Sequence, residues 1–145
     1  HYEKALQLRP DRAGTHVVLA GALEELGRIG EAIEHYREAL RLDPNRWDAA
    51  NNLAWILATQ TDPRYSDRAE AVRLAESTAR LLRNRNPQVM DTLAAAYAAD
   101  GRYEDAAAAT RRAITVARST KQGPMVKDLS AKLQRYEALL SGRTL

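Results

Sequence analysis

The sequence contains no cysteine and no phenylalanine, and only seven glycines and five prolines among its 145 residues. Without cysteine there is no disulfide framework, no thiolate metal site and no cysteine nucleophile, and the compartment stays open between cytoplasm and periplasm. Apolar runs such as LAAAYAA (93–99) are far shorter than the roughly 20 residues that cross a bilayer, and no apolar signal region opens the chain. We therefore expect no membrane contact by this segment.

Catalytic motifs are also missing. The sequence has no G-x-S-x-G elbow, no G-x-x-x-x-G-K-[ST] phosphate loop and no G-x-G-x-x-G. The histidines form no H-x-x-x-H pair, and we interpret His16 and His35 as partly exposed helix residues. Adjacent carboxylates such as Glu24 and Glu25 point to different sides of a helix. The sequence therefore predicts a protein that is not an enzyme and needs neither a cofactor nor a metal.

Helix-forming residues dominate what remains. Hydrophobic residues make up 45% of the chain and charged residues 28%, and Ala, Leu, Arg and Glu are frequent, which favours an all-α fold. The net charge of +3 is uneven, since residues 1–79 carry 10 Lys/Arg against 13 Asp/Glu and residues 80–145 carry 12 against 6. A basic half can indicate an acidic partner or nucleic acid, although charges on surface helices more often serve solvation.

The chain repeats itself at an interval of 34 residues. HYEKALQLRP at 1–10 returns as HYREALRLDP at 35–44, with six of the ten letters unchanged, and Leu19-Ala20 returns as Leu53-Ala54 and again as Leu93-Ala94. Within each interval, apolar residues recur at i, i+3, i+4 and i+7, the spacing of an amphipathic helix, and glycine or proline interrupts the pattern. Each repeat is therefore predicted to be a pair of helices.

These signals divide the chain into five segments. Asp11, Asn45 and Asn86 stand at N-cap positions, and Asp67 with Glu70 resembles a capping box. The last helix is expected to start near Gly123-Pro124, to turn Lys127, Lys132 and Arg135 outward, and to end in a frayed tail. The predicted segments are the second helix of a truncated repeat (1–10), a repeat (11–44), a repeat with an inserted loop at 59–67 (45–86), a repeat (87–120), and a capping helix with its tail (121–145).

A 34-residue helix pair with these residue types resembles the tetratricopeptide repeat. The first full unit carries the family pattern in Leu19-Ala20, Leu23, Gly27, Ala32, Tyr36, Ala39 and Pro44. The later units are similar to the C-terminal repeat tracts of large bacterial proteins of this family and to the repeats of O-linked N-acetylglucosamine transferase. This resemblance implies a right-handed superhelical solenoid of helix hairpins, and it implies that more repeats precede His1 in a longer bacterial protein.

The resemblance also implies a binding surface. In the family, ligand-contacting residues come from the exposed side of the first helix of each pair, which lines a concave groove. Here this selects Val17, Gly21, Glu24, Asp48, Asn51, Asn52, Trp55, Gln88, Asp91 and Thr92. An asparagine amide both donates and accepts, so Asn51 and Asn52 suit a peptide backbone. Trp55 is interpreted either as a hydrophobic anchor or as core, and the groove is expected to be neutral to acidic.

Three functions follow as alternatives. The first is a scaffold that binds a protein or peptide ligand in the groove. The second is binding of nucleic acid or an acidic partner through the basic half, which is disfavoured because stacking aromatics are scarce. The third is self-association through the truncated N-terminal end, where Tyr2, Ala5 and Leu6 lack a partner helix.

Overall fold

The computed structural model describes residues 12–144, and all regular structure in that range is α-helical. The helices in chain order are α1 (Ala13–Glu25), α2 (Ile29–Leu42), α3 (Trp47–Thr59), α4 (Arg68–Leu81), α5 (Pro87–Ala99), α6 (Tyr103–Ser119) and α7 (Gly123–Thr144). The all-α prediction is confirmed. The predicted helix at 1–10 and the predicted cap at Asp11 lie outside the described residues.

Consecutive helices form hairpins that stack along the chain. Helix α1 packs on α2, α3 on α4 and α5 on α6, while α7 packs on α6. Each hairpin also contacts the next, since α3 lies against α2, and α5 lies against both α3 and α4. The described residues therefore form a helical repeat array, in which each unit covers its neighbour's apolar face.

Glycine closes the first and third hairpins. At the end of α1, Gly27 has φ +77° and the Arg28 amide donates to the Leu23 carbonyl at 2.8 Å. At the end of α5, Gly101 has φ +76° and the Arg102 amide repeats the same bond. This is the Schellman arrangement, which requires a left-handed residue and so favours glycine. In both turns, the glycine of a Gly-Arg dipeptide is the residue with the left-handed conformation.

Side-chain caps begin two of the helices. The Asn86 side chain accepts hydrogen bonds from the amides of Gln88 and Val89, and Asp67 accepts one from the Glu70 amide. Both predictions of an N-cap are thus confirmed. The prediction for Asn45 was wrong, because α3 begins one residue later and Arg46 holds that place without a side-chain cap.

Small residues form most of the core. Ala20, Ala32, Ala54 and Ala94 are completely buried, and side chains of this size allow neighbouring helix axes to approach closely. The largest buried side chain is that of Tyr36, which is 1% exposed. A close-packed core leaves few voids. The positions of the alanines and of the few large side chains therefore determine how one hairpin packs against the next.

The inserted loop at 60–67 reaches back to the first hairpin. Tyr65 packs partly buried against the core, and its hydroxyl would lie 3.1 Å from a Cβ placed on Gly30. The Arg64 amide donates to Asp62 at 3.0 Å, and the Asp67 amide donates to the Leu57 carbonyl. The loop therefore links α2 to the end of α3.

Three expectations about exposed parts of the chain were wrong. His16 is 6% exposed and its ring stacks on that of His35 at 5.3 Å between centroids, so it is buried because α1 and α2 close over it. Helix α7 continues to Thr144 without the frayed tail, and Lys132 turns inward while Lys127 and Arg135 face solvent. No helix among the described residues combines the length and apolarity needed to span a membrane.

Candidate functional site

The predicted binding residues lie on three helices in matching register. We call the side of α1, α3 and α5 that carries them the helix-A surface. Shifts of 34 and 40 residues superimpose Val17 on Asn51 and Asp91. The three helices thus carry different side chains at equivalent positions, because the helical repeat is retained while its exposed residues vary.

A buried tyrosine organises the N-terminal part of the helix-A surface. The Tyr36 hydroxyl, projecting from α2, donates a hydrogen bond to the Glu24 carboxylate of α1. Burial raises the pKa of Tyr36, the bond to Glu24 raises it further, and a hydrogen bond from the Asn52 side chain opposes this increase. Tyr36 therefore stays protonated as a donor and joins Glu24 on α1 to Asn52 on α3.

Lys132 of α7 crosses the C-terminal part of the helix-A surface. Its ammonium lies 2.8 Å from Asp91 Oδ2 on α5 and 5.5 Å from the centre of the Trp55 ring on α3. The Lys132 and Asp91 side chains are only 19% and 17% exposed. Burial acts to lower the pKa of Lys132, but the bond to Asp91 and the charges of Asp91 and Asp128 outweigh it and raise the pKa. The lysine is charged and joins three helices.

Two acceptor oxygens on this surface are buried without a hydrogen-bond donor. Asn51 Oδ1 and Asp91 Oδ1 have no partner among the described residues, and the two residues occupy equivalent positions of adjacent helices. Leaving a buried acceptor unsatisfied costs about 1–3 kcal/mol relative to a bonded one. Both atoms are also closed off from solvent, so a ligand N–H group could reach them only after a neighbouring side chain has moved aside.

The remaining predicted binding residues differ in how far their side chains are exposed or paired. Asp48 accepts two bonds from Arg46 at 2.9 and 3.2 Å, so its charge is paired. Gly21 has open space where a side chain would stand, and Val17 is partly buried against the core. Gln88 is exposed, and Thr92 is only 3% exposed. The hydroxyl of that threonine donates to the carbonyl of the residue one turn earlier, so it does not face a ligand.

Trp55 is 38% exposed, so one part of its ring is available to solvent. Trp47, at the start of the same helix, is equally exposed and lies with Pro44 and Leu81 beside a separate cavity of about 350 Å³. The alternative interpretation of Trp55 as a core residue was wrong. The aromatic ring of the 60–67 loop that packs against the core is that of Tyr65.

A further cavity of about 390 Å³ lies between α4 and α6, with α5 as its floor. Tyr97 stands at its edge and donates to Glu76 at 2.7 Å, while the Arg102 guanidinium lies 4.5 Å from the tyrosine ring centre. Burial and the bond to Glu76 raise the pKa of Tyr97 to about 12. The hydroxyl is a hydrogen-bond donor at neutral pH.

Residues 12–144 contain no candidate metal centre. No group of three or more His, Asp or Glu side chains in that range is placed to hold a metal ion. The two stacked histidines approach through Nδ1 atoms 3.1 Å apart, but a zinc site needs three or four converging ligands.

Sequence reasoning missed Lys132 as a member of the helix-A surface. A signal was present, since Leu129, Lys132, Leu133 and Tyr136 are spaced i, i+3, i+4, i+7. This spacing places the lysine on the apolar face of α7. The groove was expected to be neutral to acidic, but α7, four helices later in the chain than α3, supplies the ammonium of Lys132.

One repeat of the chain matches a known family model. The tetratricopeptide repeat model matches residues 13–46. Human anaphase-promoting complex subunit 7 is 42% identical over 50 residues, covering 34% of this chain and 9% of that protein. Human protein O-mannosyl-transferase TMTC1 is 40% identical over 55 residues, covering 38% and 6%. The matched part of the chain thus spans less than a tenth of the length of either relative.

Solved structures share the fold across nearly the whole chain. The crystal structure of MamA has a TM-score of 0.66 at 17% identity, covering 99% of this chain and 86% of that one. A thermophilic TPR protein of Thermus thermophilus gives 0.65 at 18% identity, covering 96% and 87%. Proteins of this fold generally act as non-catalytic scaffolds in protein–protein interaction. The family model thus covers one repeat of the chain, and the stacked hairpins share their fold with these two solved structures, one of which is a TPR protein.

Proposed function

We propose that the domain binds an extended peptide segment of a partner protein on the helix-A surface. The observation that carries this proposal is that α1 and α3 present the partly exposed side chains of Glu24, Asn52 and Trp55. A peptide backbone supplies N–H and C=O groups at regular intervals, whatever its side chains are. The Asn52 amide can donate to and accept from these groups, and the Glu24 carboxylate can accept from them.

Neighbouring groups support the same ligand. The exposed part of the Trp55 ring offers apolar area for a side chain, and tryptophan is enriched among residues that dominate binding energy. Glu24 and Asn52 are held in place by Tyr36, so little conformational entropy is lost when they meet a ligand. The helix-A surface thus combines fixed polar groups with one aromatic anchor.

Nucleic acid is a weaker candidate. Two cations of the basic C-terminal half are paired with carboxylates of the domain itself, Arg111 with Glu137 at 3.1 Å and Lys132 with Asp91 at 2.8 Å. A phosphate backbone would have to compete with these carboxylates for both cations. Binding that depends on released counterions would also fall steeply with salt, which distinguishes it from peptide binding.

The experiment starts from a peptide selected against the immobilised domain from a random-sequence phage library. Calorimetry then measures its affinity for the parent domain and for the Asn52→Ala and Trp55→Ala variants. We expect each substitution to weaken binding by about tenfold or more, because truncation of a central interface residue costs more than about 1 kcal/mol.

Trp47→Ala is the matched control. This tryptophan belongs to the same helix and has the same exposed fraction as Trp55, but it lies off the helix-A surface, so its removal should leave the affinity unchanged. A selected peptide that binds the Asn52→Ala and Trp55→Ala variants as tightly as the parent domain would contradict the proposal. So would a library that yields no binding peptide.

A further inference from the structure

The ammonium group of Lys132 occupies the helix-A surface as a ligand would. It comes from the last helix of the described chain, yet it contacts side chains of α3 and α5. Its three nearest partners of known geometry are Asp91 at 2.8 Å, Asp128 at 3.4 Å and the Trp55 ring at 5.5 Å. A carboxylate with an aromatic face is the combination that holds an ammonium ion well.

The surface holds more negative than positive groups. Glu24 and Asp91 carry carboxylates on α1 and α5, and Asp91 keeps one buried oxygen without a donor after Lys132 has taken the other. An ammonium has three donors, of which Lys132 gives one to Asp91 at 2.8 Å, and its charge also lies 3.4 Å from the Asp128 carboxylate. The second oxygen of Asp91 is closed off from solvent, so a ligand ammonium would have to take the place that Lys132 holds on the first oxygen.

We propose that the helix-A surface binds a lysine side chain of the partner peptide at Asp91 and Trp55, and that Lys132 is an intramolecular competitor for this place. The inference rests on the proposed function and adds the chemistry of the ligand to it. Binding requires the internal ammonium to move aside, so the apparent affinity is reduced by the fraction of molecules in which Lys132 occupies the site. Helix α7 thereby lowers the affinity of the helix-A surface for the peptide.

Lys132 is well suited to such an exchange. Its long, flexible stem allows the head group to leave Asp91 while α7 stays packed through the buried side chain of Leu129. Asp128, on the solvent side of α7 and one turn away, can hold the displaced ammonium, since it already lies within 3.4 Å. Competition therefore needs a rotamer change and no unfolding of the helix.

The test uses a short peptide with blocked termini and one central lysine, and the same peptide with Nε-acetyl-lysine in its place. Both are titrated into the parent domain and into Lys132→Met, which keeps a flexible apolar stem and removes the charge. Binding is followed through the two tryptophan indole resonances. We expect Lys132→Met to bind the lysine peptide about fivefold more tightly than the parent domain does, because the competitor is gone.

Two further variants complete the design. Lys127→Met removes an exposed lysine from the same helix and should change neither affinity. Asp91→Asn keeps the shape of the side chain but not its charge, and it should weaken binding of the lysine peptide by about tenfold, since a charge-assisted hydrogen bond is lost. If Lys132→Met does not fold, the comparison of the two peptides on the parent domain and on Asp91→Asn decides the matter.

The outcomes separate this inference from the proposed function. Preference for the lysine peptide, strengthened by Lys132→Met and with the Trp55 resonance shifting, supports it. If the two peptides bind the parent domain equally well at Trp55, peptide binding stands and the lysine inference is overturned. If Lys132→Met tightens neither peptide, Lys132 is no competitor. If no peptide, including one selected from the library, shifts the Trp55 resonance in any variant, both proposals are contradicted.

Discussion

Replacing Leu129 by alanine should undock the last helix from the array. Leu129 is 1% exposed and is the most deeply buried side chain of α7, which packs on α6. The substitution removes three carbon groups, worth about 2.4 kcal/mol at about 0.8 kcal/mol each. A residual cavity adds to this cost, so we expect a loss of about 3 kcal/mol in the free energy of unfolding.

Leu139→Ala provides the control on the same helix. It removes the same atoms from a side chain that is 45% exposed, so its cost should remain below about 1.5 kcal/mol. Urea unfolding, followed both by circular dichroism and by tryptophan fluorescence, measures the two variants against the parent domain. At a typical slope of about 2 kcal/mol per molar urea, Leu129→Ala should lower the midpoint by about 1.5 M. Equal midpoints for the two variants would refute the docking of α7 through Leu129.

Four other substitutions test local features. Asn86→Ala removes a side chain that caps α5 and should cost about 1 kcal/mol in a urea titration, whereas Asn45→Ala, which removes no cap, should be near neutral. Burial and the nearby His16 lower the pKa of His35, so the unfolded chain binds more protons; thermal midpoints should fall as pH drops from 7 towards 5, and His35→Gln should flatten this trend. Lys121 has φ +59°, and Lys121→Gly should raise the thermal midpoint by relieving a left-handed residue at the end of α6.

The repeat spacing predicted the helices and their glycine turns because these depend on local sequence. Gly27 and Gly101 mark turns whose conformation depends on the backbone alone. Asn86 caps its helix by accepting hydrogen bonds from residues close to it in sequence. The orientation of Lys132 was not predicted, since it depends on how α7 rotates against α6 and on Asp91, which is distant in sequence. His16 was misjudged for the same reason, because its burial comes from the neighbouring helix.

The site could be predicted only in part. The repeat register relates the first helices of the three pairs to one another. From this register, Asn51, Trp55 and Asp91 were predicted to lie on one surface. Thr92 occupies the register position of Val18 and Asn52, yet it is 3% exposed whereas Val18 is 52% exposed. Periodicity therefore identifies the helices of the surface, while side-chain packing decides which residues a ligand meets.

The inserted loop has a consequence for how this array is assembled. Helix α3 packs on α5 but makes little contact with α1, so Tyr65 beside Gly30 adds a tie between the first two hairpins to the packing of α2 on α3 and the Arg37–Glu70 ion pair. Surface loops usually tolerate shortening. Here a trimmed loop would remove one of these ties, so a module grafted in place of the second unit should carry its own loop long enough to contact the preceding helix.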